Sequence, residues 1–174
     1  AQGRIDAFFL SGGQIDGAGN INLVGLGPYP QAKVRFPGSF GSAYLYHLIP
    51  RVILFREEHS PRTLVEKVDF ISAAGTSPPG VYRPGGPYAL VTGLCVFRFD
   101  RDKARFRLES AHPGVPADEI RAATGFAYDV PAELPTTAAL DAEALAVLRG
   151  KVAQEVAETY PSFARKVWGV GSAS

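Results

Sequence analysis

The apolar residues of this chain come in short runs that glycine and proline keep cutting off. Ile5 to Leu10 is stopped by Ser11-Gly12-Gly13, Ile21 to Leu26 by Gly27-Pro28, and Lys33 to Phe36 by Pro37. Apolar runs of roughly four to eight residues between turn residues read as strands. With 19 Gly and 14 Pro among 174 residues, many tight turns are required. Arg51 to Arg56 (RVILFR), β-branched and aromatic, is a central strand candidate. Val65 to Ala74 alternates apolar and polar residues at first, which favours a strand. Thr76 to Pro87 holds too many Pro and Gly for regular structure. Tyr88 to Asp100 and Arg105 to Ser110 flank a polar tip and predict a hairpin.

Helical signals come late. Ala117 to Thr124 predicts a short helix closed by Gly125 at C′. Asp141 is a candidate N-cap for the one long helix, with Leu145, Leu148, Val152 and Val156 on one face and an end before Pro161. The expectation is an α/β domain with a mostly buried sheet over residues 1–165 and a C-terminal tail over residues 166–174.

Composition excludes several functions. Eighteen basic and 17 acidic residues leave a net charge of +1, which removes the electrostatic case for nucleic-acid binding or a polybasic membrane anchor. No apolar run approaches the roughly 18 residues of a membrane span. The start of the chain lacks the basic and apolar regions of a secretory signal, so a cytoplasmic protein is expected. The single Cys95 excludes an intrachain disulfide and a Cys-based zinc cage, and its apolar strand context predicts a packed core thiol. His47, His59 and His112 lie far apart, so no metal is expected. Dinucleotide, P-loop and hydrolase-elbow motifs all fail.

Two segments look unlike plain scaffold. Ser11 to Asn22 packs Gln14, Asp16, Asn20 and Asn22 among glycines between short strands. Gly38-Ser39-Phe40-Gly41-Ser42-Ala43 is a small-residue loop whose main-chain N–H groups could face a developing oxyanion. Read from residues alone, the first is also a hairpin whose Asn and Asp cap their own backbone and the second a close-packed turn before a helix, and Gly-rich loops more often serve structure.

The order of these pieces resembles the β subunits of class I coenzyme A transferases, in the branch of the glutaconate transferases and the steroid ring-opening hydrolases. The likeness rests on FFLSGGQIDGAGNIN, KVRFPGSFGSA, a strand running into Glu58-His59-Ser60, VEKVDFISAAGT and ESAHPGVPADEIRAATGFAYDVP, and it covers most of residues 5–150. It implies an open sheet with flanking helices, the N-terminal part of the family fold being absent. It also implies a CoA transferase subunit that moves CoA between carboxylic acids through acyl-enzyme chemistry. CoA would be a substrate, with no tightly bound cofactor. The partner would be an α subunit in a heterodimer or heterotetramer, with acyl-CoA and the acid at the junction and no nucleic acid or membrane.

Carried over, the oxyanion candidates are Asn22, Gly38 and Gly41. Gln14, Asn20, Ser39 and Phe40 would shape the substrate pocket. The family's nucleophilic Glu lies in a Ser-Glu-Asn-Gly-type motif upstream of this chain's first strand, and no such motif occurs here. Glu58, at a strand end, is the weak substitute. The expectation is that the nucleophile sits in a preceding segment or on the α subunit. The alternatives are the β subunit of a ring-opening acyl-CoA hydrolase, or a non-catalytic acyl-CoA-binding scaffold.

Overall fold

The computed structural model describes residues 4–170, which divide into two compact units between Thr137 and Ala138. In the first, β1 (Ala7–Leu10) leads into two small antiparallel ribbons, β2 (Gln14–Ile15) with β3 (Ile21–Asn22) and β4 (Gly25–Leu26) with β5 (Val34–Arg35). Helix α1 (Ser42–Leu48) returns the chain to β6 (Arg51–Arg56). After a long crossover come β7 (Pro87–Thr92), β8 (Cys95–Asp100), β9 (Arg105–Ala111) and α2 (Ala117–Ala123).

The main sheet has five strands in the order β1-β6-β7-β8-β9. β1, β6 and β7 run parallel, whereas β7, β8 and β9 form an antiparallel meander. The architecture is a mixed α/β open sheet with flanking helices. Apolar alternation along β6 and β8 sends Val52, Leu54, Cys95, Phe97 and Phe99 into one core, against Leu90, Phe106, Leu108 and Ile120. Phe97 lies at its centre, 5.0 Å from the Tyr128 ring and 5.9 Å from the Phe126 ring. Offset and edge-on contacts of this kind add to the burial of the rings.

Several expectations change. Tyr88 to Asp100 is two antiparallel strands, because the chain turns at Gly93-Leu94, where Thr92 Oγ1 accepts from Leu94 and Cys95 N–H; Gly93 also lies against the Glu57 carbonyl, where a Cβ would come within 2.6 Å. Ile21 to Leu26 is likewise split between β3 and β4. Val65 to Ala74 forms no strand. Its flanks bridge to the β2–β3 ribbon at Ile15↔Leu64 and Ile21↔Ala73, and the turns between donate Val68 N–H to Asp16 and Asp69 N–H to Gln14. Gly125 is no left-handed C′ cap, since α2 ends at an extended Thr124. Glycine is needed because a Cβ at residue 125 would stand 2.3 Å from the Leu64 carbonyl oxygen.

In the second unit, Asp141 does cap the helix, its Oδ1 accepting from Ala144 N–H at 2.8 Å. The helix runs through α3 (Ala142–Val147), a π-helical stretch (Leu148–Val152) and α4 (Ala153–Thr159). It ends before Pro161, which then opens a further helix, α5 (Pro161–Trp168), because proline is accommodated at the first helical position. The expected tail over residues 166–174 therefore begins as helix as far as Trp168, closed by Gly169 at φ 69°, and residues 171–174 lie outside the described part.

Candidate functional site

In an open α/β sheet, ligands bind where parallel strands end. β1 ends at Leu10 and runs into Ser11-Gly12-Gly13, and its neighbour β6 ends at Arg56 and runs into Glu57-Glu58. Between these ends lies a hollow of about 500 Å³. Ser11–Gly13 form one wall, Leu23, Leu26, Phe36 and Pro37 an apolar second, and Arg56, Glu58, Arg62 and Thr63 a charged third. An adjoining hollow of about 530 Å³ shares Ser11, Arg56 and Glu58.

The glycines explain how the walls close. A Cβ at Gly13 would meet the Phe36 ring at 2.3 Å, and one at Gly38 would lie 2.7 Å from Leu23 Cβ. Each loop thus packs against the chain that adjoins the other, Gly13 on Phe36 just before the second loop and Gly38 on Leu23 just after the first. The hollow sits beside these contacts.

Glu58 is the one expected site residue that lines the hollow. Its carboxylate accepts from Ser60 Oγ at 2.8 Å and pairs with Arg62 at 3.0 Å and Arg56 at 3.2 Å. The Ser60 hydroxyl and then the two guanidiniums hold its carboxyl below the usual value, so it is ionised at neutral pH. Two guanidiniums against one carboxylate leave the charged wall with a net positive charge.

Asn22 is fully buried and does not line the hollow. Its Nδ2 donates to Gln14 Oε1 at 2.8 Å and to the Gly25 carbonyl at 2.7 Å, while its Oδ1 accepts from Val24 and Gly25 N–H. Both amide hydrogens of this expected oxyanion donor are engaged within the protein, and the side chain braces β2, β3 and β4. Gln14 is buried beside it and also accepts from Asp69 N–H at 3.0 Å.

Asn20 lies at the other end of the ribbon, donating to Asp16 Oδ2 and accepting from Gly75 N–H. Asp16 is buried and accepts from Ala18, Asn20 and Val68 backbone N–H groups, an Asx-type turn. Gly38, Ser39, Phe40 and Gly41 are not among the residues lining the hollow; the loop reaches it through Phe36 and Pro37. Ser39 and Gly41 adopt positive φ, 93° and 57°, and Phe40 is 94% exposed.

His59 turns inward directly after Glu58. Its Nδ1 meets Thr92 Oγ1 and its Nε2 meets Thr124 Oγ1, both at 2.8 Å, which ties the ends of β6, β7 and α2 together. Burial pushes its pKa down to about 4, so the ring is neutral at physiological pH. Cys95 Sγ lies 3.9 Å from the same Nδ1, its thiol pushed up to about 12 by burial. Sequence reasoning missed Arg56 and Arg62. The signal available was Arg62, four residues beyond Glu58, beside an arginine at a strand end. Among the described residues no group of three His, Cys, Asp or Glu could hold a metal, and no helix is long and apolar enough to cross a membrane.

Comparison with known proteins gives this arrangement relatives. The family model described as Coenzyme A transferase matches residues 1–123. The β subunit of the 3-oxoadipate CoA-transferase of Pseudomonas knackmussii is 35% identical over 87% of this chain and 61% of its own length. The β subunit of the glutaconate CoA-transferase of Acidaminococcus fermentans is 31% identical over 70% of this chain and 48% of its own. The crystal structure of Rhodococcus jostii RHA1 IpdAB superposes with a TM-score of 0.77 at 28% identity, covering 83% of this chain and 59% of that one. The decarboxylase AibA/AibB superposes with a TM-score of 0.73 at 29% identity, over 85% and 57%. The chain thus spans about half to three fifths of the length of the relatives it matches. Several of these relatives are β subunits of heteromeric enzymes.

Proposed function

Because the chain belongs to the coenzyme A transferase family, for which CoA is a substrate, we propose that it is part of the β subunit of a heteromeric CoA transferase, moving CoA from an acyl-CoA to a free carboxylic acid. The carrying observation is the hollow at the ends of β1 and β6. It offers an apolar wall for an acyl chain, a glycine-rich loop that a carbonyl can approach closely, and a net positive wall for a carboxylate. Glu58 orients Arg56 and Arg62 rather than attacking. Its oxygens already accept five hydrogen bonds, from Ser60, Arg56 and, three times, Arg62, and a carboxylate so engaged is a poor nucleophile.

The attacking carboxylate is another residue of the assembly. It displaces CoA thiolate from the thioester to give an acyl anhydride, and the thiolate returns to the enzyme carbonyl and releases the first acid. The second acid then takes the acyl-CoA bond by the reverse steps. The backbone of Ser11–Gly13 is the small-residue main chain that lines the hollow, where its N–H groups are the candidates to face that carbonyl.

The experiment is to co-express the chain with its partner subunit and incubate it with an acyl-CoA and a labelled acid. Label appearing in the acyl-CoA pool, together with a hydroxylamine-trapped enzyme adduct, is the expected result. Glu58→Gln should raise KM for the acid more than it lowers kcat. Acyl-CoA loss that is independent of added acid would replace the transferase with the hydrolase suggested by the Rhodococcus jostii relative. Release of carbon dioxide would replace it with the chemistry of the AibA/AibB relative.

A further inference from the structure

At the opposite end of the strands, where β7 begins and β8 finishes, two guanidiniums sit together without an acid. Arg83 and Arg101 line a hollow of about 220 Å³ with Gly75, Thr76 and Ser77. Arg83 is pinned by Gly85, Tyr46 and Ala74 carbonyls and by Ser77 Oγ, at 2.6–3.3 Å. Arg101 is pinned by the carbonyls of Arg83, Pro84 and Gly85 at 3.0–3.3 Å. Neither enters any ion pair among the described residues. Each guanidinium has five N–H groups. Four bonds from Arg83 and three from Arg101 leave one and two hydrogens over.

Like charges brought together cost free energy unless an anion lies between them. Here burial lowers Arg83's proton affinity, Tyr46, whose ring lies 5.4 Å away, partly offsets that, and Arg101 lowers it further. Both side chains are held in place before any ligand arrives, which reduces the ordering cost of binding. Two guanidinium forks and two hydroxyl groups around one concavity offer more donors than the two coplanar oxygens of a carboxylate use, and enough for the three oxygens of a phosphoryl group.

We propose that this hollow binds a phosphoryl group, held by the spare donors of Arg83 and Arg101 and by the Thr76 and Ser77 hydroxyls. The ligand is free phosphate or the phosphate of a larger molecule such as CoA. The hollow lies at the far end of the strands from Glu58, so this site stands independently of the acyl-transfer assignment.

The test is an amide-shift titration of the full chain with inorganic phosphate, CoA and dephospho-CoA, with acetate at matched ionic strength as the control. Phosphate should move the amides of Gly75–Ser77, and acetate should not. Arg101→Gln, compared at a temperature where the variant is fully folded, should weaken phosphate about tenfold, the effect of losing charge-assisted bonds. Saturation by CoA well below the concentration at which phosphate or dephospho-CoA saturates identifies the extra CoA phosphate as the source. Saturation by phosphate alone identifies the free ion. If Arg101→Gln fails to fold, Ser77→Ala and the wild-type shift map decide the matter. No shift at Gly75–Ser77 with tens of millimolar phosphate, or equal shifts with acetate, overturns the proposal.

Discussion

Replacing Asn22 by alanine separates a brace from a catalyst. The substitution deletes four hydrogen bonds at a fully buried position, two donated and two accepted. At about 1 kcal/mol per bond the loss is about 4 kcal/mol. Gln14 Oε1 keeps its bond from Asp69 N–H, which lowers the expectation to about 3 kcal/mol. In urea, with an m-value of about 2 kcal/mol/M for a chain of this size, the unfolding midpoint should fall by about 1.5 M. Any loss of turnover should follow the unfolded fraction and disappear when activity is normalised to folded protein. Asn22→Asp sharpens the test. It keeps the acceptor for Val24 and Gly25 N–H, but when ionised it sets a negative oxygen against Gln14 Oε1 and the Gly25 carbonyl. Its folded pKa is therefore raised, and the variant should regain stability as pH falls and the carboxyl protonates. A midpoint shift below about 0.5 M with turnover of the folded enzyme down about 10²-fold would refute the argument and restore Asn22 as an oxyanion donor.

Two further outcomes follow from the His59 cluster. Its folded pKa of about 4 lies below the unfolded value, so the unfolded chain takes up the extra proton; stability is full above about pH 6.5 and declines toward pH 4. The whole shift corresponds to about 3 kcal/mol, which solvent screening of a half-buried ring reduces to about 1–2 kcal/mol. Urea midpoints measured from pH 7 to pH 4 should fall accordingly, and His59→Gln should flatten that fall; an equal slope in the variant rules His59 out as its source. Cys95 should resist N-ethylmaleimide at pH 8 and react only on unfolding, because burial suppresses the thiolate. Stoichiometric labelling of the native chain within minutes would contradict its buried placement.

The scaffold was more legible in the sequence than the site. Strand runs such as Arg51–Arg56, the Asp141 cap and the break at Pro161 are local signals, and local chemistry decided them. Val65–Ala74 misled because its alternation reflects contacts with a ribbon some 50 residues earlier, as in the Val68 and Asp69 bonds to Asp16 and Gln14. Gly125 and Gly93 look like turn glycines, yet their lack of a Cβ serves close approach to the carbonyls of Leu64 and Glu57, which no one-dimensional pattern reports. The polar loop Gln14–Asn22 stands out in the sequence, but its polar side chains face one another, Asn22 on Gln14 and Asn20 on Asp16. The charged wall came from Arg56 and Arg62, ordinary in sequence and brought to Glu58 by the turn after β6.

The crossover between β6 and β7 has no helix of its own, and its main chain is stitched to the β2–β3 ribbon through Ile15, Thr63, Val65, Ile21 and Ala73. Neither piece is self-sufficient, since a two-residue ribbon has no stability alone and the crossover has no internal ladder. Each supplies backbone partners that the other lacks, so the two should form and open together. Ser11–Gly13 and Thr63 flank that seam, and Ile15, Ile21, Leu64 and Ala73 share one core with Phe97 and Phe106, so opening it would dismantle the pocket mouth and loosen the β7–β9 meander with it.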